Sequence, residues 1–442
     1  MILLVNPWIH DYTAYDLWAK PLGLIEIYSW LKSKNIDVEL IDFLYQYYDE
    51  IPDKKIKNLS KRKDGRSKYY RKKIKTPDSL KQVEIPRKFY RYGNSEKIIE
   101  KKLKNIKNPE LILVTSMMTY WYPGIKDTIK FLKKLYPDTP IVLGGIYAKL
   151  MFNHAKNNIN VDYIVNRKDY INIKKIIKEE LNIKVDLPQS RLKLKLKFDA
   201  YDNLNYVPFR FSIGCPFNCS YCGSTFLEKK YRCSKLEFLK QEYLRFYNKG
   251  IRNFAFYDDA LLLNSKKLFK PFFKWVIEEQ LYSNFHLPNA VHINYFDREI
   301  AYLMKRVEFK NIRFGFETIF RDKFVESKTD RKNFQKAVNI IEKENIDKRK
   351  IRIYLIAGMP GQKFENVKKS IKYIQSHKLI PIPNEYSPVP HTEMFTYALK
   401  VSPYDLKNEP LYHNKTIVPC NWKKMTYEDI QQLKQLARYD VT

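Results

Sequence analysis

The sequence predicts an α/β protein built as a doubly wound parallel sheet, an incomplete (β/α)6 barrel and a short C-terminal helical extension. Three observations carry that expectation. Short apolar strands alternate with helical patterns in two series, separated by a Lys- and Leu-rich connector at 180–200. The chain has only 12 glycines, and Gly144, Gly145, Gly214, Gly223, Gly315, Gly358 and Gly361 all fall at predicted strand ends. The first 214 residues contain none of the 5 cysteines, and three of those five then fall within eight positions.

Taken in order, residues 2–6 read as a buried strand, 22–34 place apolar residues at helical spacing, and 37–42 alternate into a second strand. Further strands are predicted at 111–115, 140–143 and 162–165, with a helix at 124–135. The second series has candidate strands at 207–213, 253–257, 286–292, 311–316, 352–357 and 383–387. Helical patterns at 235–248, 265–281, 297–306, 332–345 and 363–376 separate them. The expected domains are 1–195, with a basic insertion at about 50–108, then 196–400 and 401–442. In sheets of this kind ligands bind at the carboxyl edge of the strands, where the glycines cluster.

Composition narrows the class. With 44% apolar residues the chain can bury a core, and it contains no transmembrane-length apolar run or signal-peptide pattern, so a cytoplasmic location is expected. The net charge is +32 and the sequence pI about 9.6. Half of that charge comes from residues 54–108, which hold 21 Lys/Arg against 5 Asp/Glu. Lys61-Arg62-Lys63 and Arg71-Lys72-Lys73, interleaved with Tyr69, Tyr70, Phe89, Tyr90 and Tyr92, could grip phosphates and stack bases. A solvated lysine-rich face is the simpler reading. Clustered cysteines in odd number argue against a disulfide framework and for metal ligation or catalysis.

Cys215-Pro-Phe-Asn-Cys219-Ser-Tyr-Cys222 follows directly on a predicted strand. Three thiolates in so tight a loop can hold three corners of an iron–sulfur cubane and leave one iron open. A zinc site with Cys233 as fourth ligand is the alternative, although zinc sites favour paired C-x2-C hooks. Cys233 and Cys420 are candidate catalytic thiols, with an inert buried cysteine as the other reading. Asp258 and Asp259 end the second barrel strand as ligand contacts or as helix caps, and Glu317 ends the fourth as a ligand contact or surface ion pair. Gly358-Met-Pro360-Gly361 is a turn that lets backbone approach a ligand, or an ordinary Pro-Gly turn. Tyr120-Trp121-Tyr122 and Phe254–Tyr257 would suit a hydrophobic or flat substrate, or simply pack a core.

The cysteine spacing, with Tyr221 before the last cysteine, resembles the radical S-adenosylmethionine (SAM) superfamily. Phe256-Tyr-Asp-Asp259, His286-Leu-Pro-Asn289, Phe314-Gly-Phe-Glu-Thr318, Gly358-Met-Pro-Gly-Gln362 and Tyr386-Ser-Pro-Val-Pro390 resemble the barrel motifs of its B12-binding-domain members. The resemblance implies a [4Fe-4S] cluster on Cys215, Cys219 and Cys222, and a SAM site that includes Tyr221. In that site Asp258 or Asp259 would meet the amino group, Glu317 the ribose, and Gly358, Pro360 and Gly361 the adenine. Asn6-Pro7, Lys20-Pro-Leu-Gly-Leu24, Thr115-Ser116-Met117 and Gly144-Gly145 make the first domain resemble a Rossmann-like, cobalamin-binding type, with Ser116, Gly144 and Gly145 beside the nucleotide tail. The usual Asp-x-His-x-x-Gly motif is missing. His10 does not supply it, so the domain is expected to hold cobalamin without that axial histidine, or to hold none.

The leading expectation is therefore a radical SAM enzyme acting on an unactivated carbon, with methylation as the first candidate reaction. The substrate would be a small or lipid-like molecule, and a flavodoxin- or ferredoxin-type protein would donate electrons. An RNA-modifying enzyme of the same superfamily is the alternative, motivated by the basic insertion. A nucleic-acid-binding or zinc-binding protein without catalysis is the third reading.

Overall fold

The structure is a computed structural model and describes residues 1–48, 51, 64–166, 170–320, 331–420 and 425–439. Lys61-Arg62-Lys63 and the rest of 54–63 lie outside the described residues. The chain divides into two compact units, Met1–Leu204 with Asn408–Tyr412, and Asn205–Lys407 with His413–Thr442. The tail read from sequence as one extension is thus divided between them.

The strands of the first unit are β1 (Ile2–Asn6), β2 (Ile9–Asp11), β3 (Val38–Asp42), β4 (Arg71–Lys73), β5 (Tyr90–Tyr92), β6 (Leu111–Val114), β7 (Ile141–Leu143) and β8 (Tyr163–Ile164). Five of them form a parallel sheet in the order β3-β1-β6-β7-β8. This is a doubly wound order whose switch point lies between β1 and β6. Continuous burial of β1, β6 and β7 explains why they read as unbroken apolar runs. Each fully buried Leu, Ile or Val there contributes about 2 kcal/mol of apolar transfer energy. The helix Leu22–Lys32 buries Leu24, Ile25, Trp30 and Leu31, and also Glu26, whose carboxylate pairs with Arg191 at 2.9 Å. The basic insertion contributes β4 and β5, which join β2 in a small antiparallel sheet in the order β2-β5-β4.

In the second unit the strands are β9 (Val207–Phe209), β10 (Ser212–Ile213), β11 (Arg232–Cys233), β12 (Asn253–Phe256), β13 (Asn284–His286), β14 (Val291–His292), β15 (Ile312–Glu317), β16 (Ile351–Ala357) and β17 (Ile380–Glu385). All pairs along β9-β12-β13 and β14-β15-β16-β17 are parallel. A parallel bridge from His286 to Asn311 joins the two runs into an arc with six strand positions. Helices Leu236–Asn248, Phe269–Glu278, Arg298–Arg306, Arg331–Lys343 and Phe364–Ser376 alternate with the strands. Asp297 caps the third of these through the Ile300 amide at 2.9 Å, worth about 1 kcal/mol. Phe209, Phe254, Phe256, Phe273, Phe285 and Phe309 interlock edge-to-face and stacked between the first strands and their helices. The last helix, Tyr427–Tyr439, packs on β17, with Gln375 Nε2 donating to the Leu436 carbonyl at 2.9 Å.

Three predicted strands differ from those observed, each for a local reason. The expected strand 207–213 breaks after Phe209, because the amides of Phe211 and Ser212 donate to the Asp258 carboxylate at 3.1 and 2.6 Å instead of to a ladder. The expected strand 286–292 splits around Pro288, which has no amide hydrogen to offer. The last strand begins at Ile380, earlier than the predicted 383, since Pro381 and Pro383 are tolerated on an edge strand.

Candidate functional site

Because the barrel strands are parallel, their carboxyl ends share one edge, and the residues singled out from sequence follow those ends. Cys215 comes directly after β10 and Gly214. Burial pushes the Cys215 thiol up, the Phe217 amide lowers it by donating to sulfur, and Cys219, Cys222 and Asp259 push it further up. Cys219 is buried, Cys215 and Cys222 are half-buried, and none of the three is in a disulfide. The Cys222 amide donates to the Cys219 carbonyl at 3.0 Å, closing a turn that folds the loop on itself.

The two aspartates after β12 part company. Asp258 is buried and accepts from Phe211 N at 3.1 Å and from Ser212 N and Oγ at 2.6 Å each, tying β12 to β10. Burial pushes its carboxyl up to about 6, against the lowering effect of those bonds and of Arg210. Asp259 is exposed, and Ser224 Oγ, itself 3.2 Å from Cys222 Sγ, lies 3.4 Å from its Oδ1. Ser212 and Ser224 were not singled out from sequence, since a serine carries no spacing signal of its own.

At the end of β15, Glu317 is buried with φ +64°, beside a register shift against β16. A non-glycine residue held left-handed costs about 1 kcal/mol or more and marks a carboxylate aimed by the fold. The Tyr221 hydroxyl hydrogen-bonds to it, and burial first and Glu317 second push that phenol far above its usual range. After β16, Gly358 has φ +87°, and its amide donates to Gln362 Oε1 at 2.8 Å while Gln362 Nε2 donates to the Ile356 carbonyl at 2.9 Å. Gln362 thus braces the turn containing Pro360 and Gly361.

The loop after β17 reaches the cysteine loop after β10. Met394 N donates to the Ser220 carbonyl at 2.9 Å, a Cβ on Gly223 would meet Val389 Cγ1 at 2.9 Å, and His391 stacks on Phe226 at 4.0 Å with a 6° interplanar angle. Thr392 sets this loop by capping the helix Glu393–Val401 through Phe395 N at 3.2 Å. These contacts join the first and last strand positions of an open arc, and the sequence carried no sign of them. Of the remaining cysteines, Cys233 receives Asn264 Nδ2 at 3.4 Å, and Cys420 is buried with its thiol pushed up to about 12.

In the first unit Ser116 and Gly145 join the ends of β6 and β7. Ser116 Oγ donates to the Gly144 carbonyl at 2.6 Å, and Ile146 N donates to the Ser116 carbonyl at 2.7 Å. Gly145 has φ +94°, and a Cβ there would lie 2.2 Å from the Ser116 carbonyl oxygen. A Cβ on Gly144 would meet no protein atom within 4 Å, which leaves room at this carboxyl edge. His10 belongs to β2, with Nε2 3.4 Å from Asp127 Oδ2, and burial pushes its ring down to about 4, so it is held neutral inside the small sheet.

Residues 209–374, which contain the barrel constellation, match the model of the Radical SAM superfamily. An uncharacterized methyltransferase of Pyrococcus horikoshii is 23% identical over 262 residues, 56% of this chain. The chain spans about half of that relative, 51% of its length. TsrM of Kitasatospora setae, a radical S-adenosylmethionine methyltransferase solved with tryptophan substrate and a SAM analogue, superposes with a TM-score of 0.63 at 14% identity, over 90% of this chain and 76% of its own. Its structure with cobalamin and [4Fe-4S] cluster bound also gives 0.63, at 13% identity over 91% and 77%. At these identities the likeness is one of fold, and it covers both units.

Proposed function

We propose that this protein is a radical SAM methyltransferase that holds a [4Fe-4S] cluster on Cys215, Cys219 and Cys222, binds SAM at the barrel edge and takes cobalamin at the carboxyl edge of the first unit. The observation that carries it is the convergence of three mutually interacting thiols, the Ser224–Asp259 link and the aimed Glu317 carboxylate on the strand ends of one barrel. The donor set suits a cluster: three cysteines within eight positions, none in a disulfide, supply the closely spaced thiols that iron–sulfur centres take. When bound, the cluster and SAM supply one-electron cleavage of a sulfonium, and cobalamin supplies methyl transfer. The open space at Gly144 suits a corrin tail, and the relatives' methyltransferase names support the reaction class.

In this reading the chain's own residues bind and orient. Asp259 meets the SAM ammonium, while Asp258 positions it by locking β12 to β10. Glu317 accepts from the ribose hydroxyls, and the Tyr221 hydroxyl keeps that carboxylate turned toward them. The Gly358–Gly361 backbone lies along the adenine, and Gln362 holds it there. The substrate is a small organic molecule, and a flavodoxin- or ferredoxin-type protein delivers the electron. Anaerobic reconstitution with iron and sulfide, reduction, and addition of SAM tests the reading. A SAM-perturbed electron paramagnetic resonance signal, bound corrin and a methylated product are expected. If the Cys215/Cys219/Cys222→Ala variant kept the cluster signal, or zinc alone filled the native site, the assignment would be wrong.

A further inference from the structure

The basic insertion builds a cleft in the first unit that the reading above leaves unused. It has a volume of about 990 Å³, within the range of small-molecule sites, and its walls are Thr13–Leu17, Arg66–Lys72, and residues 91–98 at Arg91, Tyr92, Gly93, Ser95 and Ile98. Tyr69 and Tyr92 of its lining belong to a buried cluster with Ile9 and Leu44. Backbone bonds between Asp16 and Ser67, at 3.0 and 3.2 Å, fasten two of the walls together.

Charge in the cleft is unbalanced. Arg66 pairs with Asp64 at 2.5 Å and Arg91 with Glu96 at 2.7 Å. Lys68, Arg71 and Lys72 line the same cleft and have no ion pair among the described residues. The lining carboxylate, Asp16, already accepts from Ala19 N at 2.8 Å. The Arg71 guanidinium lies over the Tyr90 ring, 4.4 Å from its centroid, and hydrogen-bonds the Tyr92 hydroxyl, which together fix its plane while its remaining N–H groups can donate. Tyr70 has a buried hydroxyl with no hydrogen-bond partner among the described residues, and Tyr15 offers an exposed ring. Three cations without an ion pair among the described residues, beside tyrosine faces, have the chemistry to take adjoining phosphates attached to a planar ring.

We propose that this cleft binds a phosphate-bearing small molecule of the nucleoside di- or triphosphate class, with Arg71, Lys68 and Lys72 on the phosphates and tyrosine against the base. A volume of about 990 Å³ is on the scale of a single small-molecule ligand, which favours one nucleotide over a longer strand.

Calorimetry on the full chain tests this with ADP, inorganic pyrophosphate and a single-stranded uridine oligonucleotide as probes. ADP is expected to bind once per chain and pyrophosphate more weakly. Lys68→Ala/Lys72→Ala, at exposed positions that leave the fold intact by circular dichroism, is expected to weaken both by about tenfold. Lys267→Ala, an exposed charge of the other unit, is expected to change neither. The proposal is overturned if neither ADP nor pyrophosphate binds, or if the Lys267 variant loses as much as the double variant. Oligonucleotide binding tighter than ADP would make the cleft part of a polynucleotide surface and overturn it. Displacement of ADP by hydroxocobalamin would also overturn it, by giving the cleft to the corrin, whereas failure of the ADP arm alone leaves the SAM reading untouched.

Discussion

Tyr221, one residue before the last cysteine of the motif, donates its hydroxyl to Glu317 at the far end of the fourth barrel strand. The cysteine loop and the left-handed Glu317 are therefore one unit, in which the phenol turns the carboxylate and the strand's bulge presents it.

Removing the charge at Glu317 is expected to cut SAM affinity without disturbing the thiols. Glu317→Gln should weaken SAM binding by about tenfold, the loss expected for a charged hydrogen bond, with the cluster absorption unchanged. Tyr221→Phe should give a smaller loss in the same direction. Equilibrium dialysis with labelled SAM on reconstituted protein measures both, and a loss of cluster absorption in Glu317→Gln would contradict the separation.

Asp258 predicts a pH window. Burial raises its folded value to about 6, so the folded chain holds the proton more tightly than the unfolded chain does. Its contribution is fully present below the unfolded carboxylate value of about 4 and is lost as pH rises through about 6, on the order of 2 kcal/mol. Asp258→Asn keeps an oxygen for Ser212 and Phe211 and does not titrate. Thermal melts from pH 4 to 7 should therefore show wild type losing ground to Asp258→Asn as pH rises, and parallel curves would refute the assignment.

The contact between Gly223 and Val389 is close enough to test by a paired substitution. Gly223→Ala places a methyl 2.9 Å from Val389 Cγ1 and should cost about 1–3 kcal/mol by overpacking. It should also lower iron occupancy after reconstitution, because the strain falls beside Cys222. Val389→Ala on that background should restore both, measured by melting and by iron content.

Gly144 and Gly145 should separate folding from corrin binding. Gly145→Ala drives a Cβ into the Ser116 carbonyl at positive φ and should destabilise the unit by several kcal/mol. Gly144→Ala meets no protein atom within 4 Å, so it should melt like wild type yet bind hydroxocobalamin more weakly if the tail lies there. Absorbance titration alongside melting distinguishes the two outcomes.

Much of the architecture was legible because its signals are periodic and local. Buried parallel strands read as short apolar runs, and helices such as Leu236–Asn248 and Phe364–Ser376 kept nearly the bounds their spacing predicts. Breaks inside strands were less legible. The interruption after Phe209 depends on Asp258, some fifty positions away, whose carboxylate takes amides that a linear reading assigns to a ladder. Pro381 reads as a breaker until its place on an edge strand is known.

The cysteine loop, the strand-end carboxylates and the glycine turns were determined by the sequence itself, since cluster ligation and backbone approach demand particular residue types at fixed short spacings. Only the tertiary structure decided which aspartate is spent on the fold and which faces the thiols, because burial and hydrogen-bond supply are set by neighbours distant in sequence. It alone joined Tyr221 to Glu317 and Phe226 to His391, and brought Lys68, Arg71 and Lys72 of the basic insertion to one cleft. Contacts between residues tens of positions apart or more leave no local period in a sequence; they exist only once the strands lie side by side.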